Sequence, residues 1–353
     1  MTESNTPELT PHDPSVYHFG SDNYAGAHPE VLEALTRVSG GHVPAYGDDP
    51  YTVRLRDWAR DTFGQQALIY PVFNGTGANL LSLSAVVPRW GSVIAAPTAH
   101  INTDETGAPE ITAGLKIRPA QTEAGKLTPE GVRAAASNRA FIHESQSCAV
   151  SLSNSTELGT VYSPQEFQAI ADTAHELNMA VHLDGSRLAN AAVSCEAQLP
   201  DVTAGADIVS LGATKNGAMN AEAVVVLQPE RVSGIEYLHK VLLQLSSKAR
   251  YQSAQLLAMF EGDLWQRNAQ HANRQAARLA DKLSAAGFTV PMNVQANTVI
   301  AQIDPHVAQA AQAEGLLFYA WPAVPSGYRF MCAWDTPDHA IDMLVEKLKT
   351  HRG

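Results

Sequence analysis

The chain is predicted to adopt an α/β fold: a large domain with a mostly parallel sheet flanked by helices, followed by a smaller C-terminal α+β domain. Three observations carry this expectation. Short apolar runs alternate with helical segments between about residues 67 and 227, the signature of successive βα units. From about residue 236 the pattern turns helical and then mixed. The 353 residues, 45% hydrophobic and 17% charged, are enough for a large core and more than one domain.

In chain order, "ALIYPVF" (67–73) reads as a strand, and "NGTGANLLSLSAVV" (74–87) as a turn that opens a helix. "SVIAAP" (92–97) and "CAVSLS" (148–153) read as buried strands. In "SPQEFQAIADTAHELN" (163–178), Ser163 is placed to cap a helix, Pro164 takes its first position and Glu166 completes a capping box. "MAVHLD" (179–184), "DIVSLG" (207–212) and "EAVVVL" (222–227) are short apolar strands. A helical stretch from about 236 to 286 ends near Gly287. It is followed by strand-like "NTVIAQI" (297–303), "GLLFYAW" (315–321) and "GYRFMCAW" (327–334), then a last helix opening at "TPD" (336–338). The expected organisation is a flexible leader over 1–18, a ligand-binding large domain over 19–240 and a small domain over 241–353.

Composition narrows the function. A formal net charge of −12 with no dense Lys/Arg run argues against nucleic acid, whose binding rests on basic patches. No run approaches the ~20 apolar residues of a membrane span, and the polar start "MTESNTPELTPHDPS" lacks the features of a secretory signal. Cys148, Cys195 and Cys332 are odd in number and far apart. That fits neither a disulfide framework nor a metal site, and suits thiols in a reducing cytoplasm.

The chemistry concentrates at four places. "NGTGAN" follows a strand and opens a helix, where unpaired N–H groups and the helix dipole form an anion site. A dinucleotide fingerprint is incomplete here, because Leu80 stands where the third glycine belongs, and no P-loop Gly-Lys-Ser/Thr is present. The turn therefore suits one phosphate, although a glycine-bearing turn alone is also an ordinary loop. "HLDGSRLAN" (182–190) ends a buried strand in Asp184, with Arg187 three residues on. Strand ends are where ligands collect in open α/β sheets, and also where an Asp serves as a helix N-cap.

Lys215, in "SLGATKNGAMNAEAVVVL" (210–227), follows the next strand among small residues, and a lysine is rarely interior without a partner or a role. Gly212, Ala213, Gly217 and Ala218 are read as leaving open space around it. A phosphate cup, an acid and a lysine on one sheet rim match the needs of pyridoxal 5'-phosphate: phosphate on the helix end, acid on the ring nitrogen, lysine for the Schiff base. His100, just after "SVIAAP", is the candidate to cover the ring.

These residues also carry a family resemblance. "GSDNYAGAHPEV", "AYGDDPYT", "FNGTGAN", "TAHINTDETGAPE", "STELGTVYSP", "LDGSRLANA", "GATKNG" and "RFMCAWDT" occur in order from about residue 19 to the end. Together they resemble the threonine aldolases of the aspartate-aminotransferase-like pyridoxal-phosphate enzymes, most closely the branch of low-specificity L-threonine aldolases and phenylserine aldolase. The resemblance implies that Lys215 is the Schiff-base lysine and that Asp184 partners the pyridine nitrogen. It implies phosphate binding by Gly75 and Thr76 and ring stacking by His100. Ser21, Arg187 and Arg329 would hold the substrate carboxylate, with Arg187 also counted among the cofactor-binding residues. It further implies a homotetramer with active sites at a dimer interface, which Tyr46, Lys248 and Arg250 would serve from a neighbouring subunit.

The implied reaction is retro-aldol cleavage of L-β-hydroxy-α-amino acids (threonine, allo-threonine, phenylserine) to glycine and an aldehyde. Related chemistry on the same scaffold, such as β-elimination, racemisation or transamination, stays open, as does a silent ligand-sensing domain. A nicotinamide dehydrogenase is disfavoured by Leu80. One departure matters. Many threonine aldolases have a second active-site histidine after the strand at 148–153, whereas this chain reads "SNSTELG" there, with Thr156 the nearest counterpart. The burden then falls on His100 or an ordered water.

Overall fold

In the computed structural model, which describes residues 11–137 and 141–352, the centre is a seven-stranded sheet. Its strands are β1 (Leu68–Val72), β2 (Gly91–Ala95), β3 (Lys116–Pro119), β4 (Gln146–Ser153), β5 (Ala180–Gly185), β6 (Ile208–Gly212) and β7 (Glu222–Val226). Their order is β1-β7-β6-β5-β4-β2-β3. Pairings from β3 across to β6 are parallel, and β7 alone runs antiparallel to both of its neighbours. The sheet is thus mostly parallel and flanked by helices, as expected. Edge strand β3 has no counterpart in the sequence reading, because "KIRP" is short, half charged and ends in proline.

Burial on both faces explains the composition: every residue of β2, β5, β6 and β7 is buried, so these strands read as continuous apolar runs. The helix Pro164–Glu176 forms where the capping box placed it. Ser163 Oγ accepts from Glu166 N at 3.2 Å, and Glu166 Oε2 accepts from Ser163 N at 2.8 Å; losing such a cap costs about 1 kcal/mol. Phe167, Ile170, Ala171 and Ala174 of this helix enter the main core.

A second sheet of β8 (Thr298–Gln302), β9 (Tyr319–Ala320) and β10 (Gly327–Met331), ordered β8-β10-β9 and antiparallel, carries a separate core. The 22-residue helix Leu264–Ala285 joins the two cores. Leu264, Trp265 and Ala269 pack on the large one and Ala276, Leu279 and Leu283 on the small one, a span of roughly 33 Å at 1.5 Å per residue. Of the expected leader over 1–18, residues 1–10 lie outside the described residues.

The run "GLLFYAW" is a strand only at Tyr319–Ala320, not over 315–321. The reason is a non-local pairing. Phe19 N donates to Leu317 O at 2.9 Å and Phe19 O accepts from Met331 N at 2.8 Å. Phe19, itself buried in the small core, therefore occupies the place beside β10 that a longer β9 would take. The pairing also carries the N-terminal segment to the cleft between the cores.

Beneath the rim of the large sheet, His182 is fully buried on β5. Its Nδ1 hydrogen-bonds Ser151 Oγ and its Nε2 Ser210 Oγ, both at 2.9 Å. Burial pushes this imidazole down to about 4 against the opposing pull of Asp184. The unfolded chain takes up a proton near the ordinary 6.5, while the native state does not until near 4, so this contribution is complete above pH 6.5 and is lost as pH falls through that window. Denaturant titrations at pH 6.5 and pH 4 are expected to show the wild type losing on the order of 3 kcal/mol more than His182→Gln. Equal losses would refute the assignment.

Candidate active site

The functional residues meet where the parallel strands end, the position at which open α/β sheets bind ligands. Two adjoining cavities of about 290 and 270 Å³ share Asn23, His100, Ser186 and Lys215. The smaller is the cup. Its wall includes the N-terminus of the helix Gly75–Val86, which follows β1. Asn74 Oδ1 accepts from Gly77 N at 2.7 Å, leaving the Gly75 and Thr76 N–H groups, which a helix cannot satisfy internally, for an anion. Gln244, unmarked by any sequence signal, lies over this end: its Oε1 accepts from Phe73 N at 3.0 Å. A Cβ at Gly77 would come within 2.5 Å of its amide.

Asp184 closes β5. Its Oδ1 accepts from Ser186 N at 3.0 Å and also from Ser186 Oγ, and its Oδ2 accepts from Asn79 Nδ2 at 2.9 Å. Burial alone would raise this carboxyl, but the Ser186 hydrogen bonds and the charges of Lys215 and His182 outweigh it and hold it below the ordinary carboxylate value. Asp184 is therefore a fixed anion. Lys215 follows adjacent strand β6 and lines both cavities. Burial first, and the Arg187 charge second, lower its ammonium pKa against the pull of Asp22, Asp184 and Glu222, which favours the nucleophilic neutral amine.

The small residues near Lys215 serve a purpose different from the one expected. A Cβ on Gly212 would lie 2.5 Å from Ser186 O, and one on Gly185 2.7 Å from Ser210 O. Ala213 and Ala218 are buried in the main core, and Gly217 turns the chain at φ +110° against Asn268 and His28. Gly212 and Gly185 permit backbones to touch, and the others pack against side chains, rather than leaving open space. That contact brings the ends of β5 and β6, and with them Asp184 and Lys215, to one rim.

His100 stands at the cleft, where its Nδ1 hydrogen-bonds Glu105 Oε1 at 2.8 Å. This bond, more than the opposing burial, raises the imidazole pKa. The same Glu105 oxygen accepts from Asn79 Nδ2 at 2.9 Å, so Asn79 joins the Asp184 and His100 sites. Neither Asn79 nor Glu105 was distinguishable by spacing.

Arg187 and Arg329 both line the larger cavity with Ser21. Arg187 is already paired: Nε and Nη2 donate to Asp22 Oδ2 and Oδ1 at 2.7 and 2.9 Å. Arg329 is different. Its Nη2 reaches Gly20 O only at 3.5 Å, its guanidinium lies 4.4 Å from the Trp321 ring centroid, and its Nε is buried without a partner among the described residues. Burial and the Arg187 charge together lower its pKa. A half-buried guanidinium in this state is suited to a carboxylate ligand, which it binds with parallel hydrogen bonds. Tyr46 is exposed and lines neither of the two cavities, and its ring lies beside Lys240 Nζ. Lys248 lines a neighbouring cavity of about 490 Å³ that shares Phe73, Met219 and Asn220 with the cup. Arg250 donates to Gly41 O.

Thr156 is turned away, hydrogen-bonded to Thr160 Oγ1 at 2.7 Å within its own loop. Its neighbour Glu157 faces the cleft instead.

The residues present fit pyridoxal phosphate: an open helix end for the phosphate, a fixed anion for the ring nitrogen and a low-pKa lysine for its aldehyde. Comparison with known proteins agrees. Residues 18–306 match the β-eliminating lyase family. The low specificity L-threonine aldolase of Pseudomonas aeruginosa is 39% identical over 339 residues, covering 95% of this chain and 98% of that one. The enzyme of the same name from a Pseudomonas species is 37% identical, covering 94% and 96%. The solved structure of Leishmania major threonine aldolase superposes with a TM-score of 0.88 at 27% identity, covering 95% and 99%.

Asp22 is expected to be structural support for Arg187. Asp22→Ala leaves a buried guanidinium uncompensated and should lower the unfolding free energy by about 3–5 kcal/mol, measured by denaturant titration. A loss below about 1 kcal/mol, the level of an exposed pair, would show that the pair is not the buried clamp described.

Proposed function

The chain belongs to the β-eliminating lyase family, among the low-specificity L-threonine aldolases, and on that basis we propose that it cleaves L-β-hydroxy-α-amino acids such as threonine, allo-threonine and phenylserine to glycine and an aldehyde. The observation that carries this reading is the half-buried guanidinium of Arg329, which makes no ion pair among the described residues, across one cavity from Lys215 and Asp184. It supports an amino-acid carboxylate held beside a pyridoxal-phosphate site.

When bound, pyridoxal phosphate supplies an electron sink for the bond broken at Cα. The chain's residues do the rest. Lys215, its ammonium pKa lowered by burial, would supply the amine for the cofactor's aldehyde. Asp184, held by Ser186 and Asn79, stabilises a proton on the ring nitrogen. Gly75 and Thr76 hold the phosphate, and His100, oriented by Glu105, covers the ring. Arg329, with Arg187 and Ser21, grips the substrate carboxylate. That grip would fix rotation about Cα–N, and so decide which bond at Cα is broken.

We further propose a cytoplasmic homotetramer whose active sites lie at a dimer interface. The family resemblance supports it, as do Met219, 50% exposed on the cup wall, and Leu243, 82% exposed nearby in the chain to Gln244. Tyr46, Lys248 and Arg250 would then serve a neighbour's site.

With cofactor supplied, aldehyde release from L-threonine, L-allo-threonine and phenylserine is expected to exceed a Lys215→Ala blank, and that variant is expected to lack the Schiff-base absorption band. Pyruvate and ammonia from serine, with no aldehyde from any hydroxy amino acid, would instead establish an eliminating lyase. Sedimentation of the active protein should give four times the 37.8 kDa chain mass; an active monomer would overturn the shared-site proposal.

A further inference from the structure

Retro-aldol cleavage needs a group to remove the β-hydroxyl proton, and the larger cavity presents few. Besides the two arginines, its titratable lining groups are His100, Asp104, Glu157, Asp184, Lys215 and Tyr319. Asp184 has both oxygens occupied by Ser186 and Asn79. The Tyr319 phenol is hydrogen-bonded to that of Tyr24. Lys215 is committed to the cofactor. Asp104 is exposed at the rim, where it accepts from Thr103 Oγ1 at 3.0 Å. His100 has its Nδ1 fixed by Glu105, and a ring that covers the cofactor cannot also turn its edge to a substrate hydroxyl.

Glu157 remains, and it is held firmly. Its Oε1 accepts from Ser153 Oγ at 2.7 Å and from His100 N at 3.1 Å. Both contacts use the same oxygen, and Oε2 takes no side-chain donor among the described residues. Ser153 is the last residue of β4, so the carboxyl is tied to the sheet as well as to the histidine loop. It shares its cavity with Arg187, Arg329 and Lys215.

We propose that Glu157 is the base that accepts the β-hydroxyl proton, a catalytic role resting on the aldolase reading above. As the Cα–Cβ bond breaks, its electron pair would be taken up by the electron sink that bound pyridoxal phosphate supplies. The O–H pair becomes the second bond of the aldehyde carbonyl, and the proton goes to Glu157. Cα then takes up one proton to give glycine, so hydroxy amino acid yields glycine plus aldehyde with no net proton change. The setting suits a base stronger than an ordinary glutamate. Burial raises the Glu157 pKa, helped by the Asp184 charge and opposed by hydrogen bonds from Ser153 and the backbone, including His100 N. Arg187, Arg329 and Tyr162 also feel the Glu157 charge.

The test is Glu157→Gln, which keeps an oxygen for Ser153 and His100 N but cannot take a proton. Two reactions of the cofactor-loaded enzyme are compared: aldehyde release from phenylserine and L-threonine, and exchange of the glycine α-proton in D2O, which involves no β-hydroxyl. The expected result is a ~10²–10⁴-fold fall in kcat for aldehyde release, with glycine exchange and KM within a few-fold of wild type, and partial recovery in Glu157→Asp. Aldehyde release within a few-fold of wild type would overturn the proposal. So would an equal fall in both reactions, which marks Glu157 as a support for the His100 loop. A wild-type enzyme that exchanges glycine but releases no aldehyde would instead overturn the aldolase reading, and this proposal with it.

Discussion

Asp22 and Arg187 lie 165 residues apart in sequence, yet they form a bidentate ion pair that Asn297 also joins, donating to Asp22 Oδ2 at 3.0 Å. Three parts of the fold converge there. Asp22 follows Phe19, which is anchored in the small core. Arg187 follows β5 of the large sheet, and Asn297 precedes β8. The pair therefore sets the relation of the small sheet to the large one at the cleft, and with it the position of Arg329 opposite Lys215. A Cβ at Gly20 would sit 2.8 Å from the Tyr319 ring, so a larger residue at this crossing must displace that side chain.

A chain of net charge −12 thus builds a site that gathers Lys215, Arg187 and Arg329 around one cavity. Each cation is managed differently. Arg187 is neutralised by Asp22 and acts as a fixed post. Arg329 is desolvated and left for a ligand. Lys215 is pushed toward its neutral form by burial and by the neighbouring guanidinium. Like charges held close are unfavourable in the free protein, and an anionic substrate relieves them; this is local complementarity outweighing a distant net charge.

Carboxylates are sorted by the same logic. Asp184 is surrounded by donors and stays ionised, whereas Glu222, buried with fewer donors, is pushed up to about 7 while its Oε2 accepts from Ala213 N at 2.6 Å and braces the turn before Lys215. Glu157, its pKa raised by burial, is held through one oxygen by Ser153 and His100 N and faces the substrate cavity. These buried carboxylates take separate roles because their hydrogen-bond donors and neighbouring charges differ from one position to the next.

Sequence alone determined what depends on neighbours along the chain. The apolar strands, the Ser163–Glu166 capping box, the helix opening at Gly75 and the strand-end positions of Asp184 and Lys215 are local patterns, legible because backbone periodicity and capping act over a few residues. Family resemblance added Ser21, Arg329 and the substrate-carboxylate role of Arg187. The tertiary structure alone decided what depends on contacts across the sheet or between the cores. No spacing marks Asn79, Glu105, Asp22 or Gln244 as partners of the site, and none says that Phe19 displaces most of the strand expected over 315–321. The same limit hid the function of the glycines around Lys215. Whether a missing side chain leaves space or admits another backbone depends on the segment folded against it, and for Gly212 that segment is Ser186.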